Sequence, residues 1–288
     1  MGRITTRRTV VRVTVDQEPR RRQDTLAVEE PLEIRVAGEP LAVTMRTPGH
    51  DVELAAGFLV SEGIVARGEQ FHTAIHCGGP GSGGGENTYN VLDIALAPGI
   101  APPPPEAARN FYTTSSCGLC GKRSIEAVRT VSAFDVSADA IRLTPELLAT
   151  LPETLREHQA VFDKTGGLHA AGLFDAATGE LLVLREDVGR HNAVDKVVGW
   201  ALLNNRLPLT ETVLQVSGRA SFELAQKSVM AGIPVLTAVS AASSLAVDLA
   251  EETGLTLVGF LRGESMNVYT HPERVDGAAP RRSSADRA

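Results

Sequence analysis

Apolar and polar positions alternate in short runs over the first hundred residues of the chain. Residues 9–15 place valines among polar residues, which predicts an edge strand. Three more runs predict strands, the first two as a hairpin: residues 32–36, 41–45 and 90–96. Asp51 opens a segment whose apolar positions recur at helical spacing up to Leu59, and this spacing predicts a helix.

Helices and strands alternate regularly from residue 141 onward. A helix is predicted over 147–160, a hairpin closes around Ala177–Gly179, and an amphipathic helix follows over 192–204. The last third alternates between strand and helix, beginning and ending with a strand: 212–217, 222–230, 234–239, 245–252 and 255–260. This βαβαβ order predicts parallel strands joined by right-handed crossovers.

The composition divides the chain into four segments. Residues 1–25 combine the edge strand with an arginine cluster, which we expect to be a surface turn, and residues 26–105 form an α+β region. The glycine run 78–85 in that region is followed by neither a Lys-Ser/Thr pair nor a helix, so it predicts a flexible hairpin loop rather than a phosphate-binding loop. Residues 106–275 form an α/β domain, and the small and charged residues 276–288 predict a disordered tail.

Composition and charge exclude several classes of protein. Apolar residues make up 43% of the 288 residues, as in a globular domain, and the formal charge of −7 gives no general basic surface for nucleic acid. The apolar run after the pair Arg7 and Arg8 stops at Arg12, so we do not interpret that pair as an export signal. No apolar run is long enough to span a membrane. The three cysteines do not make a disulfide framework, and we predict a cytoplasmic protein in a reducing compartment.

The carboxyl ends of the three predicted parallel strands carry similar residues. Each end has glycine or hydroxyl residues, and the first and third have an arginine: Ser217–Ser221, Ser240–Ser244 and Phe260–Ser265. Ligands of open parallel sheets bind beyond such strand ends, where helix N-termini favour anions and arginine binds phosphate through two hydrogen bonds. None of the three has the G-x-G-x-x-G motif of a Rossmann site. They predict a site for a phosphate-bearing ligand, with Ser217, Gly218 and Arg219 as candidate ligand-binding residues.

The string from Arg185 to Lys196 is densely polar. It joins a predicted strand to a predicted helix, and its apolar residues, such as Val188, would pack against the core and hold the segment in place. A solvated surface turn is the alternative to a functional role. We predict a functional role, in which His191 with Asp187 forms a proton relay or an oriented ligand-binding pair.

The motif SCGLCG at residues 116–121 admits several chemistries. A structural zinc needs four ligands, and this motif supplies only two. A zinc deaminase needs the motifs H-x-E and P-C-x-x-C. This chain instead has H-x-x-E at His50–Glu53 and a serine before Cys117. A thioredoxin-like dithiol would be expected to have aromatic and proline neighbours, and the motif has neither beside it. A pair of inert buried cysteines is the other alternative, and it fits poorly beside the glycines. Lys122 and Arg123 would lower a thiol pKa, which favours a mobile, reactive thiolate that carries sulfur.

Six motifs run in order along the chain and together resemble one family. They are found within residues 48–64, 116–121, 165–171, 186–196, 217–219 and 259–262. The strings CGLCG and DVGRHNAVDK are the most specific of them. On these motifs the chain resembles the FdhD family of formate dehydrogenase accessory sulfurtransferases, with the glycine run and both tails outside the resemblance.

The resemblance implies an α/β fold with a cytidine-deaminase-like mixed sheet and flanking helices, beside a small N-terminal β-rich region. It implies a homodimer that takes persulfide sulfur from a cysteine desulfurase and gives it to the molybdenum cofactor, a bis(molybdopterin guanine dinucleotide), for formate dehydrogenase. Cys117 would carry the persulfide and Cys120 would assist, with no structural metal expected. The guanine dinucleotide would lie on one loop: Phe260, Leu261, Arg262, Gly263, Glu264 and Ser265. A scaffold that binds the cofactor without chemistry is the alternative.

Overall fold

The structure is a computed structural model that describes residues 3–77, 89–103 and 132–278. The glycine run 78–85, the cysteine motif 116–121 with Cys117 and Cys120, and the tail beyond residue 278 lie outside the described residues. The described parts contain two sheets, a separate hairpin and flanking helices, which confirms the predicted α/β class and the β-rich N-terminal region. Within these ranges, none of the helices has the length and apolar character needed to cross a membrane.

The N-terminal region holds a hairpin and a four-stranded sheet. The hairpin pairs β1 (Thr5–Arg12) with β2 (Arg20–Ala27). The sheet has the spatial order 4-3-6-5 and consists of β3 (Glu30–Val36), β4 (Glu39–Arg46), β5 (Phe71–His76) and β6 (Val91–Leu96). The predicted hairpin and the strand at 90–96 are confirmed. The prediction of a surface turn for the arginine cluster is wrong, because residues 20–22 pair with residues 10–12 as part of β2.

Helices and strands share the rest of the described chain, and they alternate strictly from residue 190 to residue 262. After α1 (Asp51–Ser61) come five more helices: α2 (Pro145–Glu157), α3 (Phe162–Thr165), α4 (Arg190–Leu203), α5 (Phe222–Met230) and α6 (Ser244–Thr253). The strands are β7 (His169–Asp175), β8 (Leu181–Asp187), β9 (Thr212–Val216), β10 (Val235–Ala238), β11 (Thr256–Arg262) and β12 (Ser265–Val268). Short 3-10 helices lie at Gly68–Gln70, Val136–Ala138 and Pro272–Arg274.

The strands β7 to β12 form one mixed sheet in the order 12-11-10-9-7-8. Strands β9, β10 and β11 are parallel, as the βαβαβ pattern predicts, and β7 and β12 pair with them antiparallel. The third predicted strand end differs from expectation. Instead of leading into an open loop, β11 turns at Gly263 and Glu264 and returns as β12, with Arg262 opposite Ser265.

The six-stranded sheet is covered on both faces. Neighbouring residues along its strands belong to two different apolar clusters: Leu214 faces the cluster that includes α1, α4, α5 and α6, whereas Val213 faces the cluster built on α2. The same alternation recurs at Leu257 and Val258 of β11. Burial on both faces explains why these strands are continuous apolar runs in the sequence.

Helices α1 and α4 pack backbone to backbone and join the two sheets. A side chain at Gly57 would place its Cβ 1.8 Å from the carbonyl oxygen of Asp195, and one at Gly199 would come equally close to that of Glu53. Arg185 of β8 reinforces this junction, since its Nη2 donates to Glu53 at 2.7 Å. Burial raises the pKa of Glu53, but the hydrogen bonds from Arg185 and His50 outweigh burial and lower that pKa to about 2.

Candidate functional site

The three strand ends lie side by side in space, as the sequence predicts. The amide of Ala220 donates to Ala241 at 3.1 Å, which joins the first end to the second. The amide of Phe260 donates to Ser240 at 3.0 Å, and Nε of Arg262 donates to Val239 at 2.8 Å, which joins the second end to the third. We call this border the strand-end edge: residues 217–221, 239–243 and 260–262, continued by His169 and residues 187–191.

Glycine at position 259 sets how closely β11 approaches β10 at this edge. A Cβ there would lie 2.9 Å from the Tyr269 ring and 3.0 Å from the Ser240 oxygen. A bulge follows between Gly259 and Arg262, where Phe260 has a φ of 50° and a side chain that is 43% exposed. A phenylalanine in the left-handed region is uncommon, and such strain collects at binding sites.

The edge continues through β7 and β8 on the other side of β9. His169 begins β7 directly opposite Asp187, the last residue of β8. The space above Gly218 lies between His169 and Arg190, because a Cβ on Gly218 would be 3.6 Å from Nδ1 of His169 and 4.0 Å from Cδ of Arg190. The residues after β9 and the N-terminus of α4 are therefore neighbours.

Asp187 is buried and fixes the segment that leads into α4. Its Oδ2 lies 2.7 Å from Nζ of Lys196, and its Oδ1 accepts from Nδ2 of Asn192 at 3.0 Å. Backbone amides of Thr47 and Gly189 donate to the same carboxylate at 3.1 and 2.8 Å. Four donors fill the accepting positions of a carboxylate, so Asp187 acts as a structural anchor.

The ion pairs at this point give His191 and Asp187 different partners. Asp187 is paired with Lys196, and Nε2 of His191 lies 2.6 Å from Oε2 of Glu223 in the first turn of α5. The same nitrogen is 3.4 Å from Oγ of Ser221. This contact joins the beginnings of α4 and α5 at one point of the edge.

The electrostatic field at the edge is positive near His169. Burial lowers the pKa of His169, and the charges of Arg190 and His191 lower it further, while Asp187 acts in the opposite direction. Burial first, and then the charge of Arg190, therefore disfavour the charged imidazolium, and an anion bound beside both side chains would offset that effect.

The predicted ligand-binding residues of the third strand end differ in accessibility. Leu261 is fully buried in the cluster around α2, so only its backbone could reach a ligand. Phe260 and four residues of the β11–β12 hairpin are exposed: Arg262, Gly263, Glu264 and Ser265. In the first strand end, Arg219 is exposed, whereas Ser217 accepts from the amide of Ala170 at 2.9 Å.

Sequence reasoning missed three residues that the structure brings to the edge: His169, Arg190 and Glu223. Two signals could have found the first two: Arg190 stands beside His191 in the densely polar string, and His169 lies within the motif at residues 165–171. Across residues 3–77, 89–103 and 132–278, no three His, Cys, Asp or Glu side chains form a group that could hold a metal ion.

Comparison with known proteins reveals close relatives. A family model described as the FdhD/NarQ family matches residues 27–276. The protein named "Sulfur carrier protein FdhD" from Streptomyces coelicolor is 63% identical over 96% of this chain and 97% of its own length. The protein of the same name from Mycolicibacterium paratuberculosis is 61% identical over 94% and 99%. A crystal structure described as a formate dehydrogenase accessory protein from Desulfotalea psychrophila shares the fold, with a TM-score of 0.72. The match covers 95% of this chain and 100% of that chain, at 23% sequence identity.

Proposed function

Because the chain belongs to the FdhD/NarQ family, we propose that it is a sulfur carrier that serves the maturation of formate dehydrogenase. In this proposal it takes persulfide sulfur from a cysteine desulfurase and gives it to the molybdenum cofactor, a bis(molybdopterin guanine dinucleotide). The relatives named as sulfur carriers match nearly the whole chain at more than 60% identity, which supports the carrier role. The proposal includes a homodimer as the working form.

The sulfur would be held by Cys117. Its thiolate attacks the terminal sulfur of the donor persulfide, so that a new S–S bond forms while the donor S–S bond breaks and the donor cysteine leaves as a thiolate. Neighbouring cations at Lys122 and Arg123 favour the thiolate form that this attack requires. Cys120 would then assist by exchange within the same motif.

The cofactor enters this proposal as cargo, and the strand-end edge is where its nucleotide would bind. The observation that supports this most is the adjacency of three strand ends, two of which begin helices, with Arg219 and Arg262 exposed beside them. Helix N-termini and arginine are the groups that bind phosphate oxygens in proteins. A guanine dinucleotide carries a diphosphate, and the residues of the edge fit such a group.

A scaffold that binds the cofactor without sulfur chemistry is the second candidate. One observation favours it: the hydrogen bonds that join the strand ends connect residues 217–221, 239–243 and 260–262, and none of these residues carries a sulfur atom. Retention of cofactor binding together with failure to load sulfur would distinguish the scaffold from the carrier.

We expect the Arg262→Ala variant to bind guanosine diphosphate about tenfold more weakly than the parent chain, because one charge-assisted contact to phosphate is lost. Its affinity should also depend less steeply on salt. Calorimetric titration at two salt concentrations measures both quantities. Arg142→Ala is the matched control, since Arg142 is exposed and lies next to Leu143, which bridges to Val275 away from the edge. Equal affinity of Arg262→Ala and the parent would count against nucleotide binding at this loop.

A further inference from the structure

The guanidinium of Arg190 has a donor that is sealed from water and lacks an acceptor. Its Nε is buried, and no group in the described parts of the chain accepts a hydrogen bond from it. A buried N–H without an acceptor costs free energy, and native structures leave few such groups. Because arginine only donates, the missing partner must be an acceptor. A ligand is one source of that acceptor.

Arg190 also forms no ion pair with the carboxylates of this part of the edge. Asp187 is paired with Lys196 at 2.7 Å and Oε2 of Glu223 with His191 at 2.6 Å, whereas Oε1 of Glu223 is buried without a hydrogen-bond partner among the described residues. Among the residues that the structure describes, none forms an ion pair with Arg190 within 4 Å. A buried donor with uncompensated positive charge favours an anionic acceptor over a neutral one.

The backbone around Arg190 leaves room for such an anion. Gly218 has no side chain, and a Cβ there would meet Nδ1 of His169 at 3.6 Å and Cδ of Arg190 at 4.0 Å, so the backbone at this point carries no group that separates the two side chains. Helices α4 and α5 both begin here, and neither Gly189 nor Ser221 caps its helix through a side chain. The positive ends of two helix dipoles therefore add to the charge of Arg190.

We propose that Arg190 and His169, on either side of Gly218, bind a phosphate group of the ligand that occupies the strand-end edge. This inference rests on the proposed function and deepens it, because it adds a second anionic subsite to the one expected near Arg262. Three strand spacings separate β7 from β11, a distance of about 14 Å. Only an extended ligand with two separate polar parts, such as a dinucleotide, could reach both places at once.

The first test uses inorganic pyrophosphate, which has the phosphate chemistry without a base. Calorimetric titration of the full chain should show binding that is about tenfold weaker, or more, in Arg190→Met than in the parent. The matched control is Arg206→Met, because Arg206 lies beyond the opposite end of α4, 5.3 Å over the ring of Trp200. Guanosine alone, which has no phosphate, should not displace pyrophosphate.

The second test follows the imidazole of His169 by NMR. A bound anion favours the charged imidazolium, so pyrophosphate should raise the pKa of His169 and should bind more tightly as the pH falls. The charged groups facing this imidazole are Arg190, His191 and Asp187. At a pyrophosphate concentration close to the dissociation constant of the parent, the His169 titration in Arg190→Met should shift much less than in the parent.

Unchanged pyrophosphate affinity in Arg190→Met, an unmoved His169 pKa in the parent, or no pyrophosphate binding by the parent would each overturn this subsite. Sulfur loading of Cys117, measured separately in the same preparations, tells this failure apart from failure of the proposed function. Intact loading with any of these three results leaves the carrier role standing and removes only the subsite.

Discussion

The Cys117→Ala variant is expected to leave formate dehydrogenase inactive in cells that depend on this chain for the maturation of that enzyme. A methyl group cannot form the S–S bond that holds the carried sulfur, and the transfer chain would be broken at this residue. Activity should fall to the background of cells without the protein, while circular dichroism shows an unchanged fold. Cys120→Ala is expected to have an intermediate effect, because Cys120 only assists.

Cys77→Ala is the matched control for this experiment. Cys77 is exposed just after β5, and its Sγ lies 3.8 Å from the carbonyl of Ile75, so the structure gives it no role in the edge. We expect full activity in this variant. Full activity in Cys117→Ala as well would show that the sulfur does not travel through Cys117.

The second large effect is expected in stability. In Lys196→Met the buried carboxylate of Asp187 keeps its neutral donors but loses its only described cationic partner at 2.7 Å. Uncompensated buried charges of this kind cost about 3–5 kcal/mol, because the carboxylate cannot recover its hydration. Chemical denaturation should show this loss in the free energy of unfolding, and the α4 N-terminus with Arg190 and His191 should lose ligand affinity.

Lys164→Met provides the control for the same substitution on the surface. Lys164 is exposed in α3, so its replacement should change the free energy of unfolding by less than about 0.5 kcal/mol. The double variant Asp187→Asn with Lys196→Met should be more stable than Lys196→Met alone, since neither position of this pair then carries a charge. A Lys196→Met protein as stable as the parent would contradict the role of this pair as an anchor.

Much of the fold could be predicted from the sequence because the buried strands are strongly patterned. Strands β9, β10 and β11 are covered on both faces, so their apolar runs stand out, and the two intervening helices follow from their spacing. Strand β5 was missed, since it is an edge strand and every one of its residues is half-exposed or exposed. The arginines of β2 were interpreted as a turn because an exposed hairpin does not need apolar residues, so its sequence lacks the apolar pattern of a strand.

The candidate site was predictable in part. The strand ends were identified because parallel strands bring their carboxyl ends to one edge of a sheet, which is a rule of topology. The pairing of His191 was not predictable, because Glu223 is 32 residues away and reaches His191 only after α5 packs beside α4. The hairpin between β11 and β12 was missed since its turn, Gly263-Glu264, also fits an open loop.

Mass spectrometry of the protein after incubation with a cysteine desulfurase and cysteine tests the carrier role most directly. Trypsin should release residues 110–122 with both Cys117 and Cys120, and residues 68–109 with Cys77 as an internal reference. Fragmentation of the first peptide then assigns the added mass to one cysteine. The account predicts a gain of one sulfur atom on Cys117 and none on Cys77. A protein that binds guanosine diphosphate yet gains no sulfur on Cys117 would contradict it.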